Sequence, residues 1–123
     1  REFVRIKLEL PVRYKFITQA NTDVTATARI FEGCTRNISA GGFLLTGKLP
    51  DLNYLQKLLT QKVLVGVNVE LPQYGIIKAL SRVSWVEAFE DGAKRINFGL
   101  RFTEISPEAK DELFKFVIRQ QMP

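Results

Sequence analysis

The stretch TRNISAGGFLL, Thr35 to Leu45, leaves one strand-like run, passes through small and polar residues with two glycines, and resumes as another run. Asn and Ser bond their own backbone and Gly tolerates positive φ, so Asn37, Ser39, Gly41 and Gly42 read first as a chain reversal. Working outward, the same alternation recurs on both sides. From Ile6 to Phe16 every second residue is apolar (Ile6, Leu8, Leu10, Val12, Tyr14, Phe16), with Lys7, Glu9, Arg13 and Lys15 between them. This predicts one long strand with a face in a core. Gln19 to Asp23 reads as a polar turn, Ala26 to Arg36 as a second strand running into the quoted stretch, and Phe43 to Thr46 as the start of the return. Val63, Val65, Val67, Val69 and Leu71 alternate again, Pro72 to Gly75 turns the chain, and Ile76 to Val86 carries it back. Glu90 to Lys94 is a further hairpin signal, followed by Ile96, Phe98, Leu100 and Phe102 at period two.

The count is about six strands joined by short turns. Antiparallel strands in so short a chain close as a barrel or pack as a sandwich, because an open sheet leaves edges exposed. The expected fold is all-β with one C-terminal helix: a six-stranded antiparallel β-barrel covered by that helix. Ser106 and Pro107 mark the helix start, Ser as a cap and Pro as a preorganised first residue. Glu108 stands in its first turn, and Leu113, Phe116 and Val117 with Phe114 and Ile118 supply its apolar side. DLNYLQKLLTQK, Asp51 to Lys62, spaces Leu52, Leu55 and Leu59 helically, so a short helix at about 51–61 is a second option, as a cap over the sheet's open end or a protein-contact element. One domain over 1–123 is expected: an arm at 1–5, the barrel at 6–105 and the helix at 106–121.

The chain has 123 residues, enough for one domain with a real core, and is 46% hydrophobic and 25% charged, an ordinary globular balance. No apolar run approaches the roughly 18 residues of a spanning helix, so direct membrane insertion is not expected. There is no signal-peptide pattern, and an opening at Arg1 without Met suggests a piece of a longer protein. The single Cys34, in an apolar strand-like run, is expected to be a buried thiol in a reducing cytoplasm. Histidine is absent, which excludes Ser-His-Asp and Cys-His hydrolases and removes the commonest metal ligand. Asp23, Glu32, Asp51, Glu90 and Asp91 show no spacing that converges on a metal or an acid-base pair, so neither an enzyme nor a metal site is expected. The net charge of +5 favours an anionic partner.

Arg1 and Arg5 form R-x-x-x-R ahead of the first strand, about 13 Å apart if extended. Guanidinium pairs bidentately with phosphate oxygens or with O6 and N7 of guanine, so arginines beside an Asn/Ser/Gly turn suit a guanine nucleotide; the alternative is two solvated charges on a frayed end. Together REFVR, then NISAGG (Asn37 to Gly42), then FGLRF (Phe98 to Phe102) leading into a Ser-Pro-capped helix resemble the PilZ domain family over nearly the whole chain. Its patterns R-x-x-x-R and D/N-x-S-x-x-G are both present, the second with the Asn option.

The resemblance implies a bacterial receptor for bis-(3′,5′)-cyclic dimeric GMP, with no other cofactor. It places Arg1 and Arg5 on guanine edges and phosphates as the arm wraps the ligand. Asn37 and Ser39 hydrogen-bond a guanine, Gly42 allows close backbone approach, and Gly41 neighbours the contact. Arg36 is a solvated charge or a phosphate contact, and Trp85 a core aromatic or a surface against a base. Binding would order the arm and be relayed to an attached domain or partner protein controlling motility, exopolysaccharide or biofilm. Two rivals stand beside this reading. One is a protein-only adaptor using Leu52, Leu55 and Leu59. The other is a nucleic-acid-binding barrel that stacks bases on Tyr14, Phe16, Phe31 and Phe43, although those positions alternate as core and a nucleic-acid partner is not expected.

Overall fold

The computed structural model describes residues 6–18, 29–49, 54–60, 63–88 and 95–121. Its elements are β1 (Ile6–Lys7), β2 (Pro11–Thr18), β3 (Phe31–Ser39), β4 (Gly42–Lys48), α1 (Tyr54–Leu59), β5 (Val63–Leu71), β6 (Gly75–Ala88), β7 (Arg95–Ile105) and α2 (Pro107–Gln121). The strands run β3-β2-β5-β6-β7-β4, every pair antiparallel, and β4 pairs back onto β3. Six strands therefore close into a barrel, and β1 is an extra two-residue strand on β3. The expected turn at Gln19 to Asp23, the hairpin signal at Glu90 to Lys94 and the start of the second strand at Ala26 lie outside the described residues.

Period-two patterning fills the barrel. Val12, Tyr14 and Phe16 from β2 face Val63, Val65, Val67, Val69 and Leu71 from β5, with Phe31, Leu45, Ile96, Phe98 and Leu100 from the other strands, all buried. Tyr14, Phe16, Phe31 and Phe98 form an aromatic cluster with ring centroids 5.5 to 6.3 Å apart. The Tyr14 hydroxyl donates to the Lys48 carbonyl at 2.7 Å, and Gly47 makes room for it, since a Cβ there would meet that oxygen. Burial pushes the Tyr14 phenol up to about 12.

The first strand is broken where one run was expected. β1 pairs Lys7 with Asn37 and β2 pairs Pro11 with Cys34, so three residues, Leu8 to Leu10, stand against Thr35 and Arg36. The buried Thr35 hydroxyl fills the break, donating to the Leu8 carbonyl and accepting from the Leu10 N–H at 2.9 Å. Side-chain alternation survives because this bulge leaves Leu10 and Val12 facing inward. Cys34 beside it is half-buried rather than buried.

Both helices cover the barrel, with corrections to their apolar faces. Ser106 caps α2 by accepting from the Ala109 N–H at 3.1 Å, and Leu113, Phe116 and Val117 are buried. Phe116 meets Tyr74 edge-on at 5.9 Å. Phe114 and Ile118 stay exposed, because a 100° step per residue carries them past the buried stripe. In α1, which packs on β5 and β6, the buried leucine is Leu58, while Leu59 is exposed. Leu52 and the Leu55 side chain lie outside the described residues.

Candidate ligand-binding site

The quoted stretch is a hairpin with a two-residue loop: Ser39 pairs with Gly42, and Ala40 and Gly41 make the turn. Among the described residues positive φ occurs at Gln73 and Gly75, not at Gly41 or Gly42. The reason for Gly42 is instead clearance between strands. A Cβ there would sit on the Leu100 carbonyl oxygen of β7 and 3.1 Å from the Arg101 Cα. Ser39 holds the turn from below, its hydroxyl donating to the Gly42 carbonyl and accepting from the Gly41 N–H, both at 3.2 Å.

Two cross-strand rows on the barrel's outer face frame the site. One runs Trp85–Gly99–Leu44–Asn37 across β6, β7, β4 and β3; the next runs Arg82–Arg101–Gly42–Ser39 across the same strands. Glycines at 99 and 42 stand diagonally in this checkerboard, so side chains surround a place where none projects. The result is a hollow of about 400 Å³ lined by Asn37, Ser39, Gly41, Leu44, Trp85 and Arg101, among others. The Trp85 indole lies over Gly99, where a Cβ would meet ring atoms at 2.7 Å or less.

Two bulges aim the polar wall. On β3, pairing skips from Thr35 to Asn37, which turns Asn37 outward although Thr35, two residues earlier, faces the core. On β6, pairing skips from Val83 to Trp85, so Trp85 is 46% exposed although Val83 is buried. That corrects the reading of Trp85 as a core aromatic. Arg36, extra on β3, forms an ion pair with Glu9 at 2.9 Å and does not line the hollow. Arg1 and Arg5 lie outside the described residues.

The hollow's unused hydrogen-bonding groups are what a polar anion needs. Among the described residues, the Asn37 amide, the Trp85 Nε1–H and the Arg101 guanidinium have no hydrogen-bond or ion-pair partner. Arg82 and Arg101 stand directly opposite each other on β6 and β7, both exposed, a like-charge pair that is unfavourable unless an anion joins it. Arg101, Gly99 and Leu44 were not singled out in the sequence. The available signal was FGLRF, whose alternation puts Gly99 and Arg101 on the outer face beside the hairpin. Tyr14, Phe16, Phe31 and Phe43 are all buried, which removes the stacking platform of the nucleic-acid reading. No group of three or more His, Cys, Asp or Glu side chains among the described residues is placed to hold a metal ion.

Comparison with family models matches the PilZ domain over residues 1–119. This chain belongs to the PilZ domain family. Solved structures share the PilZ fold at low identity. The Bacillus subtilis inhibitor of motility MotI/DgrA superposes with a TM-score of 0.70 at 18% identity, over 98% of this chain and 50% of that one. The PilZ domain of Escherichia coli YcgR with c-di-GMP gives 0.64 at 14% identity, over 98% and 89% of the two chains. The K. pneumonia MrkH–c-di-GMP complex gives 0.67 at 17%, over 98% and 51%. The PilZ domain described here thus spans about half the length of MotI/DgrA and MrkH. Comparison with curated protein sequences finds no match. No helix among the described residues is long and apolar enough to cross a membrane.

Proposed function

We propose that this PilZ domain is a cytoplasmic receptor for cyclic dimeric GMP that binds without turnover, and that the hollow between Asn37, Trp85 and Arg101 is the ligand's seat on the barrel. The observation that carries the reading is the two-glycine depression walled by unpartnered donors and an exposed indole. The ligand matches each wall chemically. Its guanine edges complement the Asn37 amide, a base plane suits the Trp85 ring, and a phosphate relieves the Arg82–Arg101 juxtaposition. Ser39 acts chiefly by holding the turn, with one acceptor lone pair left for the ligand. Gly42 and Gly99 keep the floor at backbone height, with Gly41 at its rim. Arg1 and Arg5, in an arm at residues 1–5 preceding a barrel at 6–105 and a helix at 106–121, close over the ligand with two more guanidinium groups. Arg36, committed to Glu9, contributes charge at a distance.

Relay then follows from ordering of the arm, which needs tighter binding to the ordered state and transmits it to an attached domain or partner protein governing motility, exopolysaccharide or biofilm. Two of the similar structures, the YcgR PilZ domain and MrkH, are described with c-di-GMP, which supports the choice of ligand. Calorimetric titration with cyclic dimeric GMP, with GTP and cyclic GMP as controls, tests the reading. Saturable binding selective for the dinucleotide and weakened by Arg5→Ala and Arg101→Ala is expected. Absence of binding by a folded sample would overturn it and favour the protein-only adaptor.

A further inference from the structure

On the outer face of the barrel a second depression of about 1140 Å³ crosses β7, β6, β5 and β2. Pairing registers fix its centre. Lys15, Gly66, Leu80 and Glu104 stand in one cross-strand row, and Arg13, Asn68 and Lys78 in the next. Gly66 leaves the middle of the first row without a side chain. A Cβ there would lie 3.6 Å from Lys15 Cγ and 3.1 Å from Ile17 Cδ1, so these stems already border the dent. Lys110, from α2, and Arg101 flank one end, and Ile30, 64% exposed, flanks the other.

The charge of this groove is lopsided. Among the described residues, Arg13, Lys15, Lys78, Arg101 and Lys110 line it against one carboxylate, that of Glu104. Among the described residues the ammonium groups of Lys15, Lys78 and Lys110 have no hydrogen-bond or ion-pair partner. Arg13 meets Glu32 only at 3.7 Å, with both side chains largely in solvent. From β2 to β7 is three inter-strand spacings, about 14 Å, the span of four or five extended residues.

We propose that this groove docks an acidic polypeptide segment of a partner protein, its carboxylates on the lysines and an apolar side chain in the Gly66 dent between Ile17 and Leu80. The lining favours peptide over nucleic acid. Single strands are held by bases stacked on exposed rings, whereas the rings here, Tyr14 and Phe102, turn inward, Tyr14 being 1% exposed. Lysine ammonium groups on flexible stems suit scattered carboxylates as point charges. Because the groove runs across the strands of a closed barrel, recognition rests on side chains rather than on an added strand.

The test is fluorescence anisotropy at low ionic strength with a labelled octapeptide DELDELDE, its amide counterpart NQLNQLNQ, and the oligonucleotide dT10. Saturable binding of the acidic peptide and none of the amide peptide is expected. Gly66→Leu, which fills the dent at unchanged charge, should weaken binding about tenfold, as should Lys15→Glu combined with Lys78→Glu. Gln56→Ala, on α1 and outside both depressions, should leave it intact, and thermal melts confirm that each variant folds. The proposal is overturned if the peptide does not bind, if binding ignores both groove variants, or if dT10 binds more tightly and is lost in the same variants. None of these outcomes depends on whether cyclic dimeric GMP binds.

Discussion

Gly42→Ala isolates the strand clearance that the quoted hairpin depends on. The added Cβ would arrive 2.0 Å from the Leu100 carbonyl oxygen, where ordinary contact begins at 3.4 Å. The obstacle is backbone, so no rotamer change relieves it, and β7 must retreat from β4 by about 1.4 Å, the difference of those distances. A shift of that size takes the flanking N–H···O bonds beyond useful length; two such bonds at about 1 kcal/mol each, plus loosened Phe43 and Leu100 packing, give about 3 kcal/mol. At roughly 3–6 °C per kcal/mol for a chain of this size, the midpoint should fall by about 10–15 °C. Thermal and urea unfolding followed by circular dichroism measure it. A midpoint within about 2 °C of the parent would refute the clearance argument, and with it the claim that glycine is needed here for packing rather than for turn conformation.

Gly99→Ala provides the contrast, because the three atoms nearest its Cβ all belong to the half-exposed Trp85 ring, a side chain and not backbone. Stability should change by under about 1 kcal/mol while affinity for cyclic dimeric GMP drops several-fold in calorimetry. Tyr14→Phe removes the hydroxyl that donates to Lys48 and should lower stability by about 1 kcal/mol. The parent holds the Tyr14 proton to about 12 when folded, against about 10 when unfolded, so that contribution is complete below pH 10 and lost as pH rises toward 12. Across that range the parent should therefore lose about 2–3 kcal/mol of stability that Tyr14→Phe does not lose; identical losses would sink the assignment. Arg82→Ala removes a like charge facing Arg101 and should raise stability by a few tenths of a kcal/mol, more at low salt, in urea titrations.

Strands were readable because burial on one face imprints period two, and that imprint held for Val63 to Leu71 and for Ile96 to Leu100. The irregularities were not, and they decide which residues form the site. Val83 is inward, so simple parity also puts Trp85 inward; one unpaired residue between them reverses the face. Nothing in SRVSWV announces that extra residue, since a bulge is set by the partner strand and not by local composition. Asn37 is legible only through its motif; from Thr35, parity alone points it into the barrel. Phe114 and Trp85 show that size and apolarity do not by themselves imply burial.

The bulges also explain how a binding seat and a closed barrel coexist in one hairpin. Each spoils the ladder by one residue, at a seam the barrel cannot lose: β3–β4, which closes it, and β6–β7. A ligand lying across Trp85, Arg101, Gly42 and Asn37 would touch β6, β7, β4 and β3, and so bridge both irregular seams and the regular one between them. Binding to the folded state alone stabilises by about 2.7 kcal/mol at a hundredfold excess over Kd. On the proposed reading that free energy falls where β1 meets β3, next to Asn37, with α2 packed on both strands. Among the described residues the outer groove shares its Arg101 and Gly41 rim with the hollow, while Lys15, Lys78 and the Gly66 dent belong to the groove.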